Sequence, residues 1–408
     1  MMLSELKDKK ILILGFGREG QDTFKFLRKL FPKKIIGIAD RSCSASPSNQ
    51  EKNIKLNLGK NYFDALKNYD VIIKTPGIPF KILPKRSLDK ITTQTEIFFD
   101  NCPGKIIGVT GTKGKSSTCF FIYQTLKKAG LNAFLIGNIG QPVLSFLKEA
   151  KPQSVYVYEL SAHQLYNLKK SPHVAVLLNI YPEHLDYYRN FQEYARAKAN
   201  ITRFQTKNDY FIYNSRDKEV NKIAKTSKAK KIPILGKYYK LDVAAARAVA
   251  QIFEVPELKK FKFLPHRLEF VGKFRGIKFY NDSLSTIPET TIEAMDFFGD
   301  KVQTLILGGF DRGLDFKKLA QRIKKSRVEA LILFPTTGKL IWQKMLEVGP
   351  RAIEYFFVKD MATAVKLAYQ NTKKEKICLL SPASPSFGIF KDYAERGNLF
   401  KRFAKKYR

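Results

Sequence analysis

Short apolar runs recur along the chain, each closed by a glycine-rich or polar turn and followed by a stretch in which apolar residues return every three or four positions. Runs that are apolar on both faces suit strands inside a parallel sheet, because crossover helices cover each face of such a sheet. The pattern predicts strands over residues 10–16, 34–39, 71–74, 155–158, 174–180, 210–213, 304–307, 330–334, 353–358 and 377–380, with helical segments between them. The fold class expected is α/β. Residues 207–231 interrupt the pattern, being polar and lysine-rich around one short strand. At 264–269 (Leu-Pro-His-Arg-Leu-Glu) a proline ends one series and another begins, which reads as a hinge before a further parallel α/β domain.

The turns carry the candidate chemistry. Residues 106–118 read Ile-Ile-Gly-Val-Thr-Gly-Thr-Lys-Gly-Lys-Ser-Ser-Thr, an apolar strand running into a glycine turn and then a helix. Gly111 and Gly114 let the backbone approach an anion, N–H groups at the helix start point at it, and Lys115 adds a mobile positive charge. Ser116 can then reach a magnesium ion bridging phosphates. The segment Gly111-Thr112-Lys113-Gly114-Lys115-Ser116-Ser117 is shorter than the standard P-loop, whose first glycine would fall at Val109. It predicts a nucleoside triphosphate; a plain glycine turn closing a strand–helix unit is the alternative.

Nearer the N-terminus, Gly15-Phe16-Gly17-Arg18-Glu19-Gly20 follows the first strand, Asp40-Arg41 ends the second, and Thr75-Pro76-Gly77 ends the third. The glycine spacing and the acidic residue match a dinucleotide fold, but these segments alone fit ordinary turn chemistry equally well. Beyond the cradle, Glu159 ends a strand in Glu-Leu-Ser-Ala-His-Gln-Leu, where a carboxylate suits a magnesium ligand or a water-orienting base. His184, one of four histidines, follows the strand at 174–180 and is a ligand candidate. Lys198, in Tyr-Ala-Arg-Ala-Lys-Ala-Asn, reads by itself as a solvated helix lysine.

Length and charge adjust this picture little. At 408 residues the chain exceeds the ~250–300 residues that one core supports, so two or three domains are expected. Lys and Arg number 73 against 37 Asp and Glu, a formal charge of +36. The lysines are spread through the whole length, which favours a solvated basic surface over specific nucleic-acid binding. Cys43, Cys102, Cys119 and Cys378 are far apart and form no metal or redox spacing, as expected of reduced thiols in a cytoplasm. No run of ~18 uncharged apolar residues predicts a membrane span.

The order of motifs is more specific than any one of them, and it resembles that of the Mur ligase family, ATP-dependent amide ligases of peptidoglycan precursor synthesis. The likeness runs through Gly-Thr-Lys-Gly-Lys-Ser, Gly-Asn-Ile-Gly, Glu-Leu-Ser-Ala-His-Gln-Leu, Leu-Asn-Ile-Tyr-Pro-Glu-His-Leu-Asp, Arg-Ala-Lys, Pro-His-Arg-Leu-Glu, Asn-Asp-Ser, Leu-Gly-Gly and Ser-Pro-Ala-Ser. It is greatest with the branch that adds D-glutamate to UDP-N-acetylmuramoyl-L-alanine. The resemblance implies three domains: 1–93, Rossmann-like, holding the UDP-sugar near Arg18, Glu19, Asp40, Arg41, Thr75, Pro76 and Gly77; 94–263, a P-loop ATPase-like parallel sheet for ATP and Mg2+; and 264–408, Rossmann-like, for the amino acid. It further implies one Mg2+ at Ser116 and Glu159, a second at His184, and a carbamylated Lys198 facing the second. Asn138, Arg267 and Asp282 match ATP-contacting positions; Ser386, Phe387 and Tyr393 match positions contacting the incoming glutamate. A cytoplasmic monomer is expected, with no membrane insertion.

The chain departs from that pattern in places. Asp282-Ser283-Leu284-Ser285-Thr286-Ile287 keeps Thr286 but has Leu284 where a lysine is usual, and Arg312 stands where a glutamate-binding lysine is usual. A His-Asn-x-x-Asn nucleotide motif survives only as Tyr238-Tyr239-Lys240-Leu241-Asp242. These departures leave two other readings: a sister ligase of altered amino-acid or nucleotide-sugar specificity, and a weakened homologue that binds UDP-sugar or ATP. The intact set Lys115, Ser116, Glu159, His184, Lys198, Arg267 and Asp282 argues against the last.

Overall fold

The computed structural model describes residues 1–408 except 46, 48–51, 138–142, 185–186, 237–238 and 351. The chain divides into two compact units, Met1–Phe261 and Lys262–Arg408.

Unit 1 opens with β1 (Ile11–Leu14), α1 (Arg18–Leu30), β2 (Ile36–Asp40), β3 (Ile54–Leu58), β4 (Val71–Lys74), β5 (Ile91–Thr92) and α2 (Gln94–Asn101). Its first sheet is parallel, in the order β3-β2-β1-β4-β5. The run predicted over 10–16 is strand only as far as Leu14, because Gly15 turns into a left-handed conformation (φ 92°) and starts the descent into α1. Edge strand β3 was not predicted: Lys55 and Asn57 interrupt its apolar residues, as they can on a half-exposed edge.

The second sheet follows with β6 (Lys105–Thr110), α3 (Lys115–Lys128), β7 (Ala133–Gly137), β8 (Val155–Glu159), α4 (Ala162–Leu165), β9 (Val174–Leu177), α5 (Phe191–Arg203), β10 (Tyr210–Asn214), α6 (Lys218–Thr226), β11 (Lys230–Ile234) and α7 (Tyr239–Ile252). Its order is β11-β10-β9-β6-β8-β7, parallel throughout. The strand predicted over 174–180 stops at Leu177, where the chain leaves the ladder to brace the neighbouring turn. The two sheets share one apolar core. Phe98 of α2, fully buried, sets its ring edge-on to both Tyr156 and Tyr158 of β8, with centroids 5.3 and 5.8 Å away.

Unit 2 contains β12 (Glu269–Phe274), β13 (Ile277–Asn281), α8 (Pro288–Phe298), β14 (Val302–Gly308), α9 (Lys317–Lys324), β15 (Ala330–Phe334), α10 (Thr337–Glu347), β16 (Glu354–Phe357), α11 (Met361–Asn371), β17 (Ile377–Leu380) and α12 (Tyr393–Lys406). Its order is β12-β13-β17-β14-β15-β16. The expectation of a wholly parallel sheet is corrected here, because β12 and β13 are antiparallel. Arg275 and Gly276, both with positive φ (49° and 83°), join them in the kind of tight turn that matches strand twist and leaves no length for a crossover helix. Helices cover both faces of the sheet and close two apolar clusters. Among the described residues, no helix is long and apolar enough to cross a membrane, and all four cysteines are free thiols.

Candidate active site

Strand β6, buried from Ile106 to Thr110, carries the chain to the carboxyl edge of the second sheet, where the backbone turns through Gly111 (φ 158°) and Gly114 (φ 87°) into α3. A side chain at Gly114 would be strained by φ and crowded, since a Cβ there would lie 3.0 Å from Asp242 Oδ1 and 3.1 Å from Leu178 Cδ1. The loop is fastened from outside. Thr112 N–H donates to Asn179 O (2.9 Å), and Lys113 N–H to Asn179 Oδ1 (2.8 Å), while the Asn179 amide donates back to Lys113 O (3.1 Å). Thr112 Oγ1 lies 3.1 Å from the Tyr194 hydroxyl and accepts from Tyr181 N–H (2.9 Å). On the helix side, Thr118 donates to Asp242 Oδ1 (2.7 Å).

Lys115, Lys198 and Glu159 converge on this loop. Lys115 Nζ donates to Gly111 O and Thr112 O (2.9 and 3.0 Å). Lys198 corrects its reading as a solvated lysine: it is 1 % exposed, projects from α5 and donates to Gly111 O (2.9 Å), with its ammonium 4.8 Å from the Tyr194 ring centre. Glu159, at the end of β8, is 4 % exposed and accepts a hydrogen bond from Ser116. Its Oε2 is buried without a partner. Burial raises its pKa, while Lys115 opposes the rise. Burial also lowers that of Lys115, and drives that of Lys198 well below the usual lysine range with Lys115 adding like-charge repulsion. Two buried lysine side chains thus face one buried carboxyl group, with Ser117 (8 % exposed) on the same helix turn.

A buried carboxylate oxygen with no donor fits a cation, so Glu159 and Ser116 are the residues suited to magnesium. His184 is placed differently. It is half-exposed in a left-handed conformation (φ 57°), its Nε2 is 3.9 Å from Glu183 Oε2, and its ring is edge-on to His163 with centroids 4.9 Å apart. Among the described residues, no three His, Cys, Asp or Glu side chains are grouped to hold a metal ion. Lys113, expected on ATP, is paired with Glu183 (2.7 Å). Asn138 lies outside the described residues, as does Tyr238.

A second concavity, of about 340 Å³, opens at the carboxyl edge of the first sheet. Its lining includes all seven positions singled out there, Arg18, Glu19, Asp40, Arg41, Thr75, Pro76 and Gly77, together with Tyr62. Asp40 is committed to the backbone, accepting from the N–H groups of Phe16 (2.7 Å) and Ser42 (2.8 Å). Glu19 accepts from Gln164 of α4 (2.9 Å), and burial pushes its carboxyl up to about 7. Beneath it, Lys74 is 1 % exposed, donates to Thr75 O and Ile78 O, and is lowered to about 8 by burial.

In unit 2 the expected positions lie at the carboxyl edge of its sheet, on loops except for Tyr393, which opens α12. Asp282 is fully buried, accepting from Ser285 (2.5 Å), Ser381 (2.9 Å) and Leu268 N–H (3.2 Å), and in this conformation presents no surface to a nucleotide. Arg267 sits 3.8 Å from it and has a buried, unpaired Nε. Ser386 is buried, Phe387 and Tyr393 are exposed, and Thr286 is partly so. Exposed Arg312 places its guanidinium 5.5 Å from the Phe387 ring centre.

The sequence assigns no role to Asn179, Glu183, Tyr194, Gln164, Lys74 or Arg396. Signals existed for three of them: Asn179 and Glu183 lie inside the Leu-Asn-Ile-Tyr-Pro-Glu-His-Leu-Asp motif, and Gln164 follows Ser161 by three residues in a capping-box spacing.

A family model described as the Mur ligase middle domain matches residues 109–276. Among curated relatives, the UDP-N-acetylmuramoylalanine–D-glutamate ligase of Acetivibrio thermocellus is 33% identical, with 97% of this chain and 96% of that protein covered. The ligase of the same name from Ligilactobacillus salivarius is also 33% identical, over 98% and 96%. Among solved structures, the MurF ligase of Thermotoga maritima in complex with ADP superposes with a TM-score of 0.61 at 16% identity, covering 100% of this chain and 98% of that one. A pseudomurein peptide ligase type C from Methanothermus fervidus gives 0.58 at 14%, over 98% and 100%. The structures establish a shared fold, and identity of 33% over nearly the whole of both chains establishes kinship: this chain belongs to the Mur ligase family.

Proposed function

We propose that the chain is an ATP-dependent ligase that joins D-glutamate to UDP-N-acetylmuramoyl-L-alanine, acting as a cytoplasmic monomer. The observation that carries this reading is the near-full-length likeness to ligases named for that reaction, and the cluster at the Gly111–Gly114 loop supports it. In the division of labour proposed, residues 1–93 take the UDP-sugar at Arg18, Glu19, Asp40, Arg41 and Thr75–Gly77. Residues 94–263 take ATP, and 264–408 the amino acid, with Thr286, Arg312, Ser386, Phe387 and Tyr393 as its contacts.

A carboxylate is a poor acylating agent. The alanine carboxylate oxygen attacks the γ-phosphorus of ATP, the bond to the β-phosphate oxygen breaks, and ADP departs. The amine of glutamate then attacks the acyl carbon, loses a proton and expels phosphate. Lys115 suits the first step because a preorganised, water-poor ammonium offsets charge gathering on the transferred phosphoryl group. Ser116 and Glu159 would hold magnesium, which when bound supplies charge neutralisation on the phosphate oxygens. Lys198 is suited to carbamylation: burial favours its neutral amine, the form that attacks carbon dioxide, and loss of one proton leaves an anion where the lysine was cationic.

Substrate labelled with 18O in both alanine carboxylate oxygens tests the chemistry. One labelled oxygen should leave in each phosphate and one remain in the product amide. Unlabelled phosphate would rule out attack by the carboxylate on ATP.

A further inference from the structure

Arg396, on the first turn of α12, has no solvent-accessible surface. Its guanidinium is held by uncharged acceptors: Nε donates to Ser283 Oγ (3.0 Å), Nη2 to Ser283 O (2.9 Å) and Nη1 to Ser384 O (3.0 Å). Among the described residues no carboxylate pairs with it. Burial alone pulls its pKa down, to about 9, so at neutral pH it remains a cation. A buried charge without a counter-ion costs several kcal/mol, a cost that well-packed apolar residues would avoid.

Its position suggests a use for that charge. The Ser283 turn follows β13, the Ser384 loop follows β17, and the Gly308-Gly309 turn follows β14, all at one sheet edge. The last two are bonded to each other, Gly308 N–H to Pro382 O (2.8 Å) and Phe310 N–H to Pro385 O (2.9 Å). Arg396 Nη1 runs beneath Gly309, 3.2 Å from where a Cβ would stand. Ser283 Oγ donates onward to Tyr393 O (2.8 Å). Thr286, Arg312, Ser386 and Tyr393 therefore each sit within three residues of an atom tied to, or pressed against, this one guanidinium.

We propose that Arg396 is a positioning residue for an amino-acid substrate bearing a side-chain carboxylate: its fork ties three loops into the fold, and its unneutralised charge, more than the fork, biases them toward an anion. The inference rests on the glutamate-ligase reading. It also accounts for an arginine at a site where packing alone would favour an apolar residue.

Arg396→Gln keeps donors for the carbonyl groups and removes the charge, whereas Arg396→Lys keeps the charge and removes the fork. Steady-state kinetics of both should show Arg396→Gln raising the KM for D-glutamate tenfold or more, with the KM values for ATP and the UDP-sugar within twofold of wild type. Arg396→Lys should return the glutamate KM to within threefold, even if its melting temperature falls. An unchanged glutamate KM in folded Arg396→Gln overturns the proposal, as does a parallel rise in all three KM values in both variants. Should Arg396→Gln not fold, Arg396→Lys decides: a tenfold rise there would assign the effect to the fork and overturn the role of charge. The wild-type control separates the two levels. If wild type prefers a neutral amino acid, the glutamate reading fails and this inference with it; if it uses an acidic one and Arg396→Gln does not change that KM, the inference alone fails.

Discussion

Lys198 shows how far burial can depart from what a helix pattern alone suggests. In a helix segment with Arg196 beside it, a lysine is ordinarily solvated, yet α5 turns this one into the space beneath the Gly111 carbonyl. If its working form is a carbamate, Lys198→Ala should be nearly inactive and should regain measurable turnover with a short carboxylic acid in the buffer, which supplies the missing anion. Inactivity at every acid concentration would count against the carbamate. Glu19 makes a prediction about stability. Its ordinary carboxyl value is 4.5 and its folded value about 7, so between these limits the folded chain holds a proton that the unfolded chain has released. Stability from this group therefore falls as pH rises from about 4.5 to 7 and is level above. Lys74, lowered to about 8, acts in a separate window, adding stability as pH rises above that value. Melting temperatures of wild type minus those of Glu19→Gln should decline across pH 4.5–7; a flat difference would remove the raised carboxyl from the account.

At the scale of elements, legibility followed locality. Strands 71–74, 330–334 and 377–380 match their predicted limits, since each is a fully buried apolar run that ends at a polar or turn-forming residue. The β12–β13 hairpin went unread because its turn offers only Arg275-Gly276, with lysines nearby to suggest a loop. The cradle was legible because the conformations it needs are written in its own glycines. Its braces were not: Asn179 meets Lys113 across 66 positions of sequence, and Asp242 meets Thr118 across 124, pairings that only the folded sheet creates. Short α4 is an intermediate case. Ser161 caps it by accepting from Gln164 N–H (3.2 Å), and Gln164 in turn reaches Glu19 under the first sheet's concavity. Ser161→Ala should cost about 1 kcal/mol in urea unfolding, the usual worth of an N-cap. A change under about 0.3 kcal/mol would show that α4 is held by packing alone.

For the molecule as a whole, the +36 charge distinguishes the chain less than its motif order does. A basic field of that size steers any anionic substrate toward the protein, and spread surface lysines require no nucleic-acid partner. What sets this chain apart is the combination in unit 1 of a glycine cradle, two buried lysines and a carboxylate with one unpaired oxygen, joined to near-full-length kinship with D-glutamate ligases. The departures at Leu284 and Arg312 make amino-acid specificity the property to measure. The most direct test is phosphate release from ATP in the presence of UDP-N-acetylmuramoyl-L-alanine and a panel of single amino acids of both chiralities. The account predicts release that depends on D-glutamate and is at background with L-glutamate and neutral amino acids; equal release with every amino acid, or none with D-glutamate, would contradict it.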